Sequence, residues 1–444
     1  MTPRKIAVIG TGYVGAITST CFAWLGHEVY GLESDPVRVG ELTQGRVPFY
    51  EPGLPERLKE TVATGRLTFT DQPAEALTDA DVIFLCVGTP TGPGGTADLS
   101  QIESATSTLA PFLRDGSVVV NKSTVPVGSG NWVSTLLEEA LPEDSKPQFS
   151  VVSNPEFLRE GSALDDFLYP DRIVLGGEDA GIDQVAELYG PVLEQKFPGG
   201  RPEKLPRLIR ADLTSAEMIK YAANAFLATK ISFANEIANI CELVGADGRQ
   251  VLPAIGADSR IGEAFLSPGL GWGGSCFGKD LAALIGTGQE YGYSSSLLRS
   301  SVEVNELQRA AVIRKLQREL RVLKGRRVCL LGLSFKPGTD DLRDAPALDL
   351  AGRLLAAGAV VSAFDPVVTQ LPGDLDAVRI AQSPIEAARG VDAVILVTEW
   401  SELVALDPQG LKSAMKGSLV LDGRNALDEA AYCAAGLRVV GVGW

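Results

Sequence analysis

The stretch SPGLGWGGSCFGKD (267–280) sets one cysteine, Cys276, behind Gly269, Gly271, Gly273 and Gly274, with Lys279 and Asp280 just beyond it. The glycines read as a flexible loop, and Ser275 is placed to cap a helix beginning near Cys276. A thiol at a helix N-terminus has its thiolate stabilised by the dipole, and Lys279 adds positive charge. Asp280 lies one helical turn on, so it shares a face with Cys276. Nucleophile and carboxylate side by side suit covalent catalysis with a nearby base. An ordinary buried cysteine after a loop is the competing reading of these residues taken alone.

A second arrangement lies near the N-terminus, where KIAVIGTGYVG (5–15) contains Gly10-x-Gly12-x-x-Gly15. The motif follows a strand-like run and opens a helix-like one, which is the context it needs. Gly10 allows the tight turn, and Gly12 lets a pyrophosphate approach the backbone. Gly15 lets the helix pack close, so the diphosphate meets the helix N-terminus. Glu33 follows 18 residues after Gly15 and ends the next strand-like run. A carboxylate there accepts hydrogen bonds from ribose hydroxyls and repels a 2′-phosphate, which favours NAD over NADP. Asp35 is expected to face away and cap the following helix.

These groups need a scaffold, and the rest of the chain outlines one. Short apolar runs at 5–10, 28–33, 81–87, 117–122, 149–153 and 172–175 alternate with helix-like segments. Several are apolar on both faces, as strands of a buried parallel sheet are. Alternation of this kind predicts right-handed βαβ units and a doubly wound α/β fold. From Asp212 to Val244 no Pro or Gly interrupts a helical pattern; Asp212 or Thr214 caps its start and Gly245 ends it. More helix is expected over 294–323. The last third repeats the plan: a strand over 327–331 leads to Gly332, then a helix over 347–357 and a strand over 360–364. GVDAVILVTEW (390–400) echoes DADVIFLCVGTP (79–90), and KGSLVLDGRN (416–425) echoes DGSVVVNKSTV (115–125). The expected architecture is α/β: two Rossmann-like doubly wound domains joined by a long central helix and a helical middle. The boundaries are 1–205, 206–317 and 318–444.

Composition narrows the chemistry further. With 444 residues, 45% hydrophobic and 22% charged, the chain is an ordinary globular one, not a disordered one. A net charge of −16 makes nucleic acid and anionic membrane surfaces poor partners. The single histidine, His27, sits between the first helix and the second strand. That excludes a His-rich metal site and removes the base of histidine-dependent dehydrogenase schemes. Six cysteines, none in a C-x-x-C pair, argue against structural zinc and fit a reducing cytoplasm. No metal is expected. The uncharged run 6–26 is long enough for a signal or membrane segment, but its four glycines and its strand–turn–helix pattern argue against both.

The order of motifs resembles the UDP-glucose/GDP-mannose dehydrogenase family nearly end to end. GTGYVG, FYEPGL (49–54), VGTP (87–90), KSTVPVGS (122–129) and NPEFLREGSALDDFLYPDRIVLGG (154–177) match in family order. EMIKYAANAFLATKISFANEIANICE (217–242), RIG (260–262), GGSCFGKD and LGLSFKPGTDDLRDAP (331–346) follow. The resemblance implies four-electron oxidation of a sugar-nucleotide alcohol to a carboxylate with two NAD⁺, through a cysteine thiohemiacetal and thioester. Cys276 matches the nucleophile. Lys220 and Asn224 match active-site residues on the long helix. Asp280 matches a water-activating or proton-relaying carboxylate, Thr124 a residue orienting that water, and Glu156 a general base. Which of Lys220, Glu156 and Asp280 takes the first proton stays open.

For NAD the resemblance implies Gly10, Gly12, Tyr13, Val14, Gly15, Glu33, Arg38, Thr89, Thr124, Glu160, Lys279 and Arg343. For the sugar nucleotide it implies Glu156, Phe157, Leu158, Lys220, Asn224, Arg260, Phe265, Gly269, Lys336 and Arg424, with Arg260 directed to a neighbouring subunit's site. It also implies a homodimer or larger homo-oligomer built through the helical middle. Three departures stand out: Glu33 where Asp is common, Gly278 where Pro is frequent, and Ser267 at a spot that is basic in some relatives. The REG…PDRIVLGG stretch and the long EMIKYAANAFLATKISFANEIA run look closer to the UDP-glucose branch than to enzymes acting on GDP-mannose or a UDP-N-acetyl-hexosamine. A catalytically silent nucleotide-binding regulator would be expected to lack Cys276, Lys220 or Asp280. A two-electron hydroxyacid dehydrogenase would need neither Cys276 nor a second nucleotide domain.

Overall fold

The computed structural model describes residues 3–90, 98–141 and 146–444. The chain divides into two compact units, Met1–Ala223 and Asn224–Trp444, with the division falling inside the helix Leu213–Val244.

The first unit holds β1 (Lys5–Ile9), β2 (Glu28–Leu32), β3 (Leu67–Thr70), β4 (Val82–Leu85), β5 (Ser117–Asn121), β6 (Phe149–Ser153), β7 (Arg172–Gly177) and β8 (Arg207–Ala211). They form one sheet in the order β3-β2-β1-β4-β5-β6-β7-β8. Alternate side chains leave the sheet on opposite faces. Ile6, Val8 and Phe84 join one core with Phe22 of the first helix (Tyr13–Trp24). Ala7, Ile83 and Val119 join the other with Ile102 and Val133. The strand sequences are apolar in succession because both faces are covered.

All six expected strands are present; β3 and β8 are additional. The sheet is parallel except between β6 and β7, which run antiparallel, a reversal the sequence pattern does not announce. The strand order turns back between β1 and β4, which is where a doubly wound sheet opens a crevice at its C-terminal edge.

The second unit repeats this plan with β9 (Arg327–Leu331), β10 (Val360–Phe364), β11 (Arg379–Ile380), β12 (Ala393–Leu396), β13 (Leu419–Asp422) and β14 (Arg438–Val440). Their order, β11-β10-β9-β12-β13-β14, matches that of the first six strands of the other sheet. Here too Val328 and Leu330 face one core and Cys329 and Leu331 the other.

The long helix has 32 residues, about 48 Å of rise. Asp212 caps it by accepting from the Ser215 N–H at 2.8 Å, and Gly245 ends it with φ +77°. His27 is buried, accepts from the Arg4 N–H at 3.3 Å and sits 3.4 Å from the Leu188 carbonyl. Burial lowers its pKa, so it is a neutral packing group at the turn. No described helix is long and apolar enough to cross a membrane.

Candidate active site

The first unit builds a dinucleotide cleft at the β1 turn. Gly10 has φ +86°, and a Cβ there would press on the Cys86 carbonyl at 2.9 Å. A Cβ on Gly15 would fall 1.9 Å from the Gly10 oxygen, so only glycine lets the helix start against the turn. Gly12 is different: a Cβ there would meet nothing within 4 Å. It is the N-cap residue of the first helix, with no side-chain cap and no acidic residue in the first turn. Bare amides facing open space suit a diphosphate. Val14 and Tyr13 follow on the helix and pack against the core.

Glu33 follows β2 and is 7% exposed. It accepts from the Thr11 hydroxyl at 2.7 Å and from Arg38 at 3.4 Å. Burial alone would raise its pKa, but the bonds from Thr11 and the Asp35 N–H, with Arg38, hold it below the usual range. It is therefore an anion at neutral pH. Asp35 caps the next helix through the Val37 N–H at 2.9 Å. Thr89 and Thr124, beyond the ends of β4 and β5, are joined by a Thr89 hydroxyl to Thr124 carbonyl bond of 2.7 Å.

The segment after β6 carries Glu156, Phe157, Leu158 and Glu160. Glu156 is 6% exposed; Lys220 Nζ donates to its Oε1 at 3.0 Å and the Leu158 N–H to its Oε2 at 2.6 Å. Burial opposes the charge, yet the Lys220 ammonium and these bonds hold the carboxyl below its ordinary range. The Phe157 ring lies 4.0 Å from the Arg172 guanidinium and 5.4 Å from Lys220 Nζ.

Three buried ionisable groups here escaped the sequence reading. Lys122 donates to Asn154 Oδ1 at 3.1 Å and to the Tyr189 hydroxyl at 3.2 Å, and burial lowers its pKa. Glu51 accepts from the Tyr13 hydroxyl at 2.6 Å, the Gly161 N–H at 2.6 Å and the Ala163 N–H at 2.8 Å. It thus fastens the turn at Gly161–Ala163, just after Glu160, to the start of the first helix, while burial and Glu51 keep the Tyr13 phenol protonated. Glu217 is the third, its carboxyl pushed up to about 7 by burial. The only signal for any of them is an ionisable residue inside a quoted motif.

In the second unit Cys276 is itself the N-cap residue of the helix Phe277–Glu290. This corrects the expectation that Ser275 caps it: the first helical bond runs from the Asp280 N–H to the Cys276 carbonyl at 2.9 Å. Ser275 Oγ lies 3.6 Å from Cys276 Sγ. The thiol therefore stands closer to the free amides than the sequence suggests. Asp280 is fully buried, accepting from Asn224 Nδ2 at 2.6 Å and from Lys279 Nζ at 2.6 Å. Lys279 gives its charge to Asp280 by that bond.

Among the other cysteines, Cys21, Cys86, Cys241 and Cys329 are buried. Burial pushes the Cys86 and Cys329 thiols up to about 12. Exposed Cys433 sits in the last turn of the helix Glu429–Ala434, the end that disfavours an anion.

The glycine loop is clamped, which corrects its reading as slack. Asn305 Oδ1 accepts from the Trp272 N–H at 2.8 Å, and Asn235 Oδ1 from the Gly269 N–H at 2.8 Å. A Cβ on Gly271 would fall 2.4 Å from Asn305 Oδ1, and one on Gly273 2.2 Å from the Asp344 carbonyl. The glycines serve close approach.

Of the expected sugar-nucleotide residues, Gly269 lies where a Cβ would come 2.9 Å from the Gly423 carbonyl and 3.7 Å from the Arg424 side chain, and Arg424 donates to the carbonyls of Val397 at 2.6 Å and Phe335 at 3.2 Å. Lys336 Nζ lies 5.5 Å from the Phe335 ring. Phe265 adopts φ +65°, its ring 6.5 Å from Phe277. Arg260 does not join them: its side chain is 88% exposed and paired with Asp258. Arg343 is likewise outward and bound to Asp341. Asp365 follows β10 as Glu33 follows β2, but its oxygens are taken by the N–H groups of Leu333, Ser334, Val367 and Val368. Glu33 in the first sheet is held instead by the Thr11 hydroxyl, the Asp35 N–H and the Arg38 guanidinium.

A Gly-rich turn followed by a buried acid at the end of the next strand, with a cysteine at a helix N-cap, fits a dinucleotide-dependent dehydrogenase. The comparisons with known proteins agree. Residues 4–193 match the NAD binding domain of the UDP-glucose/GDP-mannose dehydrogenase family, 214–307 its central domain and 329–429 its UDP binding domain. The chain belongs to this family. It is 42% identical to a UDP-glucose 6-dehydrogenase of Bacillus subtilis over 98% of this chain and 92% of that protein. A UDP-glucose dehydrogenase structure from Pyrobaculum islandicum superposes with a TM-score of 0.89 at 37% identity, covering 100% of this chain and 98% of that one. A UDP-D-ManNAc dehydrogenase from Pyrococcus horikoshii gives 0.85 at 27% identity, covering 99% of each.

Because Glu33 is an anion beside the open turn, NAD⁺ is expected to bind roughly a hundredfold or more tighter than NADP⁺. Glu33→Gln should narrow that gap at least about tenfold. Titration of both cofactors by calorimetry checks it; equal affinities in the wild type would remove Glu33 from the ribose.

Proposed function

We propose that the chain oxidises UDP-glucose to UDP-glucuronate with two NAD⁺ and one water. The carrying observation is Cys276 at the N-cap of a helix whose next turn holds buried Asp280. When bound, NAD⁺ would supply the hydride acceptor for each of the two oxidations. Gly10, Gly12, Tyr13, Val14 and Gly15 would hold its diphosphate and Glu33 its adenosine ribose, with Arg38 near the adenine, Thr89 and Thr124 along the cofactor, Glu160 near the nicotinamide, and Lys279 and Arg343 completing its contacts.

The chain's own groups handle the protons and the acyl carbon. Lys220, with Asn224 one turn along the same helix, donates hydrogen bonds to the oxyanion formed at the reacting carbon. The Cys276 thiolate adds to the aldehyde, which keeps it from escaping. The thiohemiacetal so formed would give up its C–H hydride to a second NAD⁺ and its hydroxyl proton to become a thioester, which is activated toward water that Asp280 and Thr124 orient, and Cys276 leaves as thiolate. Glu156, held as an anion against Lys220, fixes that ammonium in place and accepts a proton in hydrolysis. Phe157, Leu158, Gly269, Phe265, Lys336 and Arg424 bind the sugar nucleotide, and Arg260 reaches a partner subunit's site.

We read 1–205 as the NAD domain, 206–317 as the helical middle and 318–444 as the UDP-sugar domain, in a cytoplasmic protein. A homodimer through the long helix is supported by its apolar residues left in solvent, Phe226 at 65%, Phe233 at 46% and Ile240 at 47% exposed, at heptad spacing. Light scattering at twice the chain mass is the expected result.

A panel of UDP-glucose, GDP-mannose and UDP-N-acetyl-hexosamines read by NADH formation tests the substrate. UDP-glucose is expected to turn over fastest, since identity to UDP-glucose enzymes exceeds that to the UDP-D-ManNAc enzyme. A faster rate on another sugar would move the chain to a sister branch.

A further inference from the structure

Glu217 has no part in the reading above, yet it is 5% exposed and sits one turn before Lys220 on the long helix. Its Oε2 accepts from the Gly128 N–H at 2.6 Å, and its Oε1 from the Gly130 N–H at 2.7 Å and the Ser153 hydroxyl at 3.4 Å. These amides open the helix Ser129–Ala140, whose N-cap is Gly128 at φ +98°, with no side chain of its own to do the capping. A carboxylate from a remote helix takes that place.

Gly130 makes the approach possible. A Cβ there would lie 3.1 Å from Glu217 Oε1 and 3.0 Å from Ser153 Oγ. The capped helix is reached from β5 through residues 122–128, which carry Thr124. A cavity beside this segment is lined by Asn121, Thr124, Ser153, Glu217, Lys220 and Tyr221 among others. Asn121 is 2% exposed, and neither polar atom of its side chain has a hydrogen-bond partner among the described residues. The wall that Glu217 braces is thus built around polar groups facing a small space.

We infer that Glu217 is a positioning residue: it locks the Thr124 segment to the helical turn that carries Lys220, setting the spacing of those two groups across the cavity. The inference rests on the proposed roles of Thr124 and Lys220. Tight packing turns a lost brace into a shift of about an ångström, and misplacement on that scale costs up to about a hundredfold in rate.

Glu217→Gln keeps the shape but turns an amide NH₂ toward one of the two backbone N–H groups, so one acceptor is lost. Gly130→Ala attacks the same contact from the other side. In the full-length chain, assayed with whichever sugar nucleotide the wild type oxidises fastest, each variant is expected to lose about 10- to 100-fold in kcat. Both KM values should stay within about twofold. The double variant should be no slower than the worse single one, because both break one contact. Exchange of the Gly128 and Gly130 amides with deuterium should quicken about tenfold or more in Glu217→Gln.

Unchanged amide exchange would overturn the brace. Faster exchange with wild-type kcat would overturn its role in positioning. A fall in kcat matched by an equal loss of NAD⁺ and sugar-nucleotide binding would assign Glu217 to general stability instead. The amide exchange is read without substrate, so it stands apart from the substrate panel and from any failure there.

Discussion

Cys276→Ala is expected to form NADH from UDP-glucose at least about a thousandfold more slowly than the wild type. The reason is positional. The buried thiols of Cys86 and Cys329 are held protonated, and exposed Cys433 lies at the wrong end of its helix. No neighbouring thiol can take over from the one at a helix start. The wild type should yield two NADH per sugar and no free aldehyde. Cys276→Ser should retain binding of both ligands but turn over nearly as slowly as the alanine variant, since a hydroxyl has far less anion character at neutral pH. Asp280→Asn should slow hydrolysis, leaving a sugar-nucleotide adduct on Cys276 visible by intact-mass spectrometry. Two NADH per sugar at the wild-type rate in Cys276→Ala would refute the covalent route.

Lys220→Met should damage both stability and rate. It strands the buried Glu156 carboxylate, and breaking one side of a buried ion pair costs about 3–5 kcal/mol. For 444 residues unfolding together that is a fall in Tm of about 3–5 °C. Turnover should fall at least about a hundredfold, since the oxyanion loses its ammonium donor.

The pH dependence carries its own sign. In the wild type the Glu156 carboxyl is held below its unfolded value of 4.5. Its pairing therefore stabilises the fold above that pH and is lost as the pH falls through the folded value. Without Lys220, burial is the strongest influence left and pushes the carboxyl up. The variant then gains stability toward acid and loses it as the pH rises. The Tm gap between wild type and variant should widen from about pH 4.5 to pH 8. A constant gap across that range would mean that Lys220 does not hold Glu156 as an anion.

The sequence made the central strands legible and the peripheral ones much less so. VIFL and SVVVN are apolar throughout because both faces of β4 and β5 are covered. RLIRA of β8 is mostly half-exposed, and β11 has two residues; neither leaves a clear pattern. The antiparallel β6–β7 pair depends on which edge the chain returns to, a tertiary choice that local periodicity does not record.

At the site, the Cys276–Asp280 spacing and the glycine turn could be read from helix geometry alone. Lys220 and Glu156 came only from motif resemblance, because their 3.0 Å contact joins residues 64 apart. Glu51 and Glu217 were missed for a related reason. Their partners are backbone N–H groups, which every residue but proline has, so nothing in the sequence marks the pairing. The clamped glycine loop was misread because a glycine needed for close approach looks the same in sequence as one needed for freedom.

The strand order of the first sheet also sets a timetable for its synthesis. β1 leaves the ribosome first among the strands yet belongs near the middle, between β2 and β4. Its partner β2 follows at once, but Val82 of β4 must emerge before Ile6 is paired on its other side. At roughly 5–20 residues per second, the nascent chain carries a half-made apolar ribbon for several seconds. Such an edge invites pairing with a neighbouring chain on the same message. Rapid translation of residues 33–85 and early chaperone engagement would both shorten that exposure, so slow codons in this window would lower the yield of folded protein more than slow codons in the long helix.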